Sequence, residues 1–206
     1  MPLPVTDTVK ARLMDAADVD RTLNRLARQI VEHLDDNLPR GSGEAEPAEP
    51  IERLALVGMQ TRGVHIARRL RDKIEAFEGI RLPFGVLDAT LYRDDYRKRL
   101  RQPIVQPTDI PFDVDGRRLV LIDDVVYTGR TTRAALDAIM DLGRPASVRL
   151  LAFIDRGLRE LPVAPDFIGR TVPTIAGEEV RVRLTEIDDE DGVWLVEPQP
   201  KDEGSA

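Results

Sequence analysis

Two rhythms of apolar residues alternate along the chain. Short continuous runs, Leu54-Ala55-Leu56-Val57, Leu119-Val120-Leu121-Ile122 and the stretch Ser147 to Ile154, have the length and aliphatic content of strands buried on both faces of a sheet. Between them apolar residues recur at helical spacing. Leu23, Leu26, Ala27, Ile30 and Leu34 form one such stripe, and Val64, Ala67, Leu70, Ile74 and Phe77 form a second. A third helix is expected from Ala134 through Leu142, stopped by Gly143. Phe84 to Tyr92 reads as a further strand. Strands alternating with helices in this order predict an α/β fold, a mostly parallel, doubly wound sheet with flanking helices.

The polar segments divide this framework. Residues 37–50, rich in Gly, Pro, Glu and Ala, are expected to be a flexible insertion, and 93–111, charged and punctuated by proline, a long loop of the kind that serves as a lid. Residues 1–198 are predicted to make a single domain, with a disordered acidic tail at 199–206. The 206 residues hold no cysteine and only His33 and His65, so thiolate and histidine-cluster metal sites are excluded. No run is apolar enough to span a membrane and no basic-then-apolar leader is seen, so a soluble, cytoplasmic protein is expected. A net charge of −7 gives no whole-molecule field for nucleic acid, although local basic patches remain open to it.

The chemistry concentrates after Leu119. The strand leads into Asp123-Asp124, then Val125-Val126-Tyr127-Thr128-Gly129-Arg130-Thr131-Thr132, and then the third helix. Ligands of open α/β sheets bind at such strand-to-helix turns, beyond the carboxyl ends of the strands, where the acids are therefore expected to emerge. The helix entry offers unpaired N–H groups, Gly129 permits close approach of a phosphate, and Thr128, Thr131 and Thr132 add hydroxyl donors. The carboxylates would repel that phosphate, so they are assigned to ribose hydroxyls or to Mg²⁺ held through water or substrate oxygens. Neither the Walker spacing nor a Gly-x-Gly-x-x-Gly fingerprint is present. Thr61-Arg62-Gly63, following the Leu54 strand, stands at the mouth of the second helix, where backbone N–H groups and a guanidinium can grip diphosphate. Thr61 and Arg62 read equally as a helix cap and a surface cation.

The stretch from Val120, Leu121 and Ile122 through Thr132 resembles the 5-phosphoribosyl 1-diphosphate (PRPP) motif of type I phosphoribosyltransferases. Purine-using members of that superfamily carry an acid three residues after the acid pair. Here that position is Tyr127, which argues against hypoxanthine or guanine and reads equally as a stacking residue or a cover for the loop. Leu56 to Val64, Leu87 to Asp95 and Asp155-Arg156-Gly157-Leu158-Arg159-Glu160-Leu161-Pro162 further resemble the family of pyrimidine operon attenuators with uracil phosphoribosyltransferase activity. That resemblance implies transfer of phosphoribosyl from PRPP to uracil, giving UMP and diphosphate. It implies a hood at 155–174 whose segment Leu161 to Thr174 covers uracil, base recognition near Asp155 and Arg156, diphosphate contact at Thr61 and Arg62, and lid contact through Arg93 or Arg97. Asp123 and Asp124 would be catalytic and would hold Mg²⁺.

The same resemblance implies homo-oligomers and binding of pyrimidine-operon leader messenger RNA. Arg21, Asn24, Arg25 and Arg28 on the first helix, with Arg159, are the candidate RNA-binding residues. Leu158 and Arg28 stand where relatives carry histidine. Two alternatives stay open: a UMP-sensing RNA-binding regulator with little or no catalysis, and an enzyme without RNA regulation. They differ in whether leader RNA is retained in the presence of UMP.

Overall fold

In the computed structural model, residues 7–35, 51–92 and 107–198 are described. The expected insertion at 37–50, Arg93 and Arg97, and the tail at 199–206 lie outside them.

The main sheet has five parallel strands in the order β3-β2-β4-β5-β6: β2 (Leu54–Met59), β3 (Phe84–Leu87), β4 (Arg118–Val126), β5 (Ser147–Asp155) and β6 (Phe167–Thr171). Successive side chains of β4 point to opposite faces. Val120 and Ile122 join the core beneath α1 (Ala16–Asp35) and α2 (Arg62–Glu78), while Leu119 and Leu121 join the core beneath α3 (Arg130–Leu142). The expected stripes do this packing: Leu23, Leu26, Ala27 and Ile30 of α1 and Ala67, Leu70 and Ile74 of α2 are buried. Phe77 differs. It is exposed in the last turn of α2, with the Arg28 guanidinium 5.4 Å from its ring centroid.

One expectation is corrected and two segments gain detail. The Phe84 strand stops at Leu87, where the Asp88 carboxylate accepts the Thr90 N–H at 2.8 Å and turns the chain into a short 3₁₀ segment, Thr90–Tyr92. Within the stretch expected to be a lid, Asp109 pairs with Val86 in an antiparallel bridge at the sheet edge. And Phe167–Thr171, expected in a hood, is the edge strand β6. The second layer comes from segments the sequence pattern left unread. β1 (Asp7–Met14), β8 (Gly192–Pro198) and β7 (Glu179–Arg183) form a three-stranded antiparallel sheet that adds Met14, Val180, Val182 and Val193 to the α1/α2 core.

Arginines on α2 clamp this small sheet through the turn that carries α4 (Thr185–Asp188). Arg69 makes bidentate pairs with both Glu186 and Asp191 at 2.6–2.8 Å. Burial pushes the Asp191 carboxyl up, but hydrogen bonds from Arg69 and from the Thr185 N–H and hydroxyl more than offset it and leave it at about 2. A depressed carboxylate contributes stability above its unfolded value that is lost as pH falls toward the folded one. The clamp therefore loosens between about pH 4 and pH 2. Trp194, the single tryptophan, lies in β8 between the Arg12 and Arg183 guanidinia and reports on it. Arg69→Ala is expected to cost about 2 kcal/mol at pH 7, between the values for exposed and buried pairs. It also flattens the acid limb of the Trp194 fluorescence titration; an unchanged limb would show that the clamp does not hold the sheet.

Candidate functional site

The acids are inside β4 rather than beyond it, since the strand continues to Val126. They still reach the rim because β2 ends first. The β2–β4 register stops at Gly58 and Ile122, while β4 runs on beside β5 to the pair Val126 and Asp155. Asp123 and Asp124 thus project where β2 no longer covers them. Asp123 is buried and accepts the Asp124 N–H at 3.0 Å. Burial raises the Asp124 carboxyl above its ordinary value, offset in part by the nearby Arg62 guanidinium.

Two glycines bring the β2–α2 turn onto this rim. A Cβ at Gly63 would lie 2.4 Å from the Ile122 carbonyl oxygen, and one at Gly58 would lie 2.6 Å from the Val64 Cα, so only glycine lets α2 begin directly against β4. The Gln60–Thr61 peptide is cis. Thr61 makes no side-chain capping bond to α2, which removes the helix-cap reading. Nor is Arg62 a loose surface cation: its Nε and Nη2 pair with both carboxylate oxygens of Asp188 at 3.1 and 2.8 Å. Asp188 also accepts the Leu184 N–H, fixing the guanidinium to the small sheet.

On the other side of the acids, the chain turns through Tyr127, Thr128 and Gly129 into α3. Gly129 has φ +88°, the left-handed conformation that favours glycine. Thr132 is buried in the first turn of α3, and Thr128 Oγ1 accepts the Arg130 N–H at 3.4 Å. Arg130 pairs with Glu160 at 2.7 Å. Arg156 is buried, with its guanidinium 4.1 Å from the Tyr127 ring centroid, and donates to Thr174 Oγ1 at 3.2 Å and to the Glu178 carbonyl. Burial pulls Arg156 below its ordinary value. One face of Tyr127 is therefore occupied by a cation anchored to the segment before β7, and the ring remains half-exposed. Asp155 folds its own turn, accepting the Gly157 N–H at 2.9 Å and Arg159 Nη2 at 2.7 Å.

Asp123, Asp124, Thr61, Arg62 and the 127–132 turn are thus brought to one rim, with Asp155 and Arg156 beside Tyr127. The RNA candidates separate. Arg21, Asn24, Arg25 and Arg28 share a face of α1, although Arg21 pairs with Asp18 and Arg25 donates to the β6 carbonyls of Ile168 and Gly169. Arg159 sits in the turn after β5, its side chain 19% exposed. Sequence reasoning missed Asp188, Thr174 and Glu178. The only signal for Asp188 is charge complementarity between the acidic run Glu186 to Asp191 and the arginines of α2.

Among the described residues no three carboxylates or imidazoles gather to hold a metal alone. The acid pair suits a hard divalent cation nevertheless, because Asp124 is only partly compensated and oxygen donors are what Mg²⁺ takes; water and diphosphate oxygens would complete its shell. No helix among the described residues is long and apolar enough to cross a membrane.

The phosphoribosyl transferase domain family matches residues 15–186. A bifunctional protein PyrR of Pelotomaculum thermopropionicum is 48% identical over 188 residues, covering 91% of this chain and 96% of the relative. One from Thermus thermophilus is 49% identical over 188 residues with the same coverage, and one from Deinococcus radiodurans 45% identical over 190 residues, covering 92% and 96%. Among solved structures, a hypoxanthine phosphoribosyltransferase of Trypanosoma cruzi superposes with a TM-score of 0.66 at 17% identity, covering 92% of this chain and 96% of that one. A hypoxanthine-guanine phosphoribosyltransferase of Bacillus anthracis gives 0.63 at 15% identity, covering 92% and 99%, so the likeness to both is one of fold.

Proposed function

Since this chain belongs to the phosphoribosyl transferase family, and within it to the bifunctional PyrR proteins, we propose that it transfers phosphoribosyl from PRPP to N1 of uracil, forming UMP and diphosphate. The observation that carries the reading is the convergence at one rim of the acid pair, the Thr-Gly entry to α3 and the Thr61-Arg62 turn. The 128–132 turn binds the 5-phosphate through first-turn N–H groups and threonine hydroxyls. Asp123 and Asp124 accept hydrogen bonds from the ribose hydroxyls and stabilise positive charge at C1 as the C1–O bond breaks toward diphosphate. Arg62 stands where that departing charge develops. The acid pair would hold Mg²⁺, which would supply further neutralisation of the diphosphate. Uracil N1 closes the new bond and its proton leaves to solvent or diphosphate, without a dedicated side-chain base. Positioning and electrostatics supply the rate.

Tyr127 supports a pyrimidine. With one face held by Arg156 it presents an aromatic surface for stacking, where purine enzymes carry an acid. The second activity of this bifunctional family is read here as UMP-responsive binding of pyrimidine-operon leader RNA in the cytoplasm, through the α1 face bearing Arg21, Asn24 and Arg28. Population shift by UMP requires that it bind the RNA-competent state more tightly. The protein is expected to act as a homo-oligomer.

The test is incubation with PRPP, Mg²⁺ and uracil, with hypoxanthine, guanine and orotate as competitors, followed by leader-RNA retention with and without UMP. UMP formation from uracil alone is expected, with UMP-dependent retention weakened by Arg28→Ala. Turnover of another base in preference to uracil would overturn the uracil assignment. Retention indifferent to UMP would overturn the regulatory one.

A further inference from the structure

A turn that binds phosphate faces an electrostatic problem at its own backbone. Each N–H that attracts the anion is followed by a carbonyl oxygen that repels it, so the carbonyls must be pointed elsewhere and held there. Here the three carbonyls immediately before Gly129, those of Val126, Tyr127 and Thr128, are all held by one short turn after β5. The Val126 oxygen accepts the Arg156 N–H at 3.0 Å and Arg159 Nη1 at 3.3 Å; the Tyr127 oxygen accepts Arg159 Nη1 at 2.6 Å; the Thr128 oxygen accepts the N–H groups of Glu160 and Leu161 at 3.0 and 3.1 Å. Arg159 is itself fixed by Asp155 at 2.7 Å and by the carbonyls of Gly157 at 3.2 Å and Val163 at 3.1 Å. Gly157 and Leu158, with φ of +72° and +53°, form two successive left-handed residues that fold the chain back so that Arg159 reaches the end of β4. A left-handed leucine is costly and is kept where the surroundings dictate it.

We propose that Arg159 is a positioning residue for the 5-phosphate. Its planar guanidinium bridges the Val126 and Tyr127 carbonyls away from the anion, so that the N–H groups entering α3 face the phosphate. The inference rests on the phosphoribosyltransferase reading and replaces Arg159 as an RNA contact, since a guanidinium committed to carbonyls on both sides of the turn is not free to leave for a phosphate backbone. A lysine cannot substitute, because a single ammonium cannot hold at once Asp155, the Val163 carbonyl and the β4-end carbonyls that Nη2, Nε and Nη1 divide among them.

Ribose 5-phosphate is the direct probe, measured by calorimetry on wild type, Arg159→Ala and Arg159→Lys, with melting temperatures and with KM for PRPP and for uracil. Both variants are expected to bind ribose 5-phosphate roughly ten- to a hundred-fold more weakly and to raise KM for PRPP in proportion, the scale of a displacement of about 1 Å in a positioned site. KM for uracil should stay near wild type, and added guanidinium should restore Arg159→Ala. Ribose 5-phosphate binding within twofold of wild type in Arg159→Ala overturns the proposal, as does an equal loss for PRPP and uracil without guanidinium rescue. Should the wild type form no UMP, the function reading falls, while a difference in ribose 5-phosphate binding between wild type and Arg159→Ala still upholds the positioning role.

Discussion

Asp124→Asn is expected to lower UMP synthesis by about 10²–10³-fold, the usual loss when a group stabilising transition-state charge is removed, while melting at the wild-type temperature or above it. The two effects share a cause. Burial raises the Asp124 carboxyl, so the folded protein resists its ionisation. For a raised carboxyl the stability contribution is present below the unfolded value and is lost as pH rises through the folded one, and at neutral pH the ionised acid is a liability to the fold. Asparagine removes that liability and keeps the shape. The same anion is what attracts Mg²⁺ and favours positive charge at C1, so function and stability draw on it with opposite sign. Initial rates and thermal melts on both proteins decide the matter, and an Asp124→Asn enzyme with wild-type turnover would remove the acid pair from the mechanism.

Gly63→Ala should damage both properties together. Its Cβ would fall 2.4 Å from the Ile122 carbonyl oxygen, and the neighbouring atoms at 3.3 Å are also β4 backbone, so no flexible side chain can yield. Relief requires α2 to back away from β4, at a cost of about 1–3 kcal/mol for overpacking. That movement carries Thr61 and Arg62 off the rim, and a shift of about 1 Å is enough for roughly 10²-fold in rate. Gly177→Ala is the control for glycine replacement, because nothing lies within 4 Å of the added methyl, although its φ of +88° makes it a backbone-strain control only. Chemical denaturation and steady-state rates distinguish the outcomes. Gly63→Ala with native stability and rate would show that the α2 entry does not set the site.

What the sequence disclosed and what it withheld divide along contact range. The β4–turn–α3 unit is contiguous, its strand and helix rhythms are strong, and the acids and Thr-Gly turn lie within it, so it was readable residue by residue. Strand ends were less so: Asp123 and Asp124 looked like strand-terminal residues because charge ends an apolar run, yet pairing with β5 carries the strand on to Val126. The small sheet was missed because β1 is exposed along most of its length and so carries no apolar run, β7 is only five residues long, and both pair through β8. The Arg62–Asp188 pair spans 126 positions, a distance at which no local pattern exists. The bonds of Arg159 were hidden for a related reason. Its basic character is visible in sequence, but the acceptors that consume it are main-chain carbonyls, which every residue carries and none advertises.

The pairing of β1 with β8 also fixes the order in which the molecule can be completed during synthesis. The five strands of the main sheet are all present once Thr171 has been made, whereas Asp7–Met14, made before any of them, must wait for Gly192–Pro198 before it is paired. A nascent chain therefore carries β1 without its partner while all five strands of the main sheet are made. Lys10 and Arg12 give that waiting strand two positive charges, and charge on an exposed strand disfavours pairing with another chain.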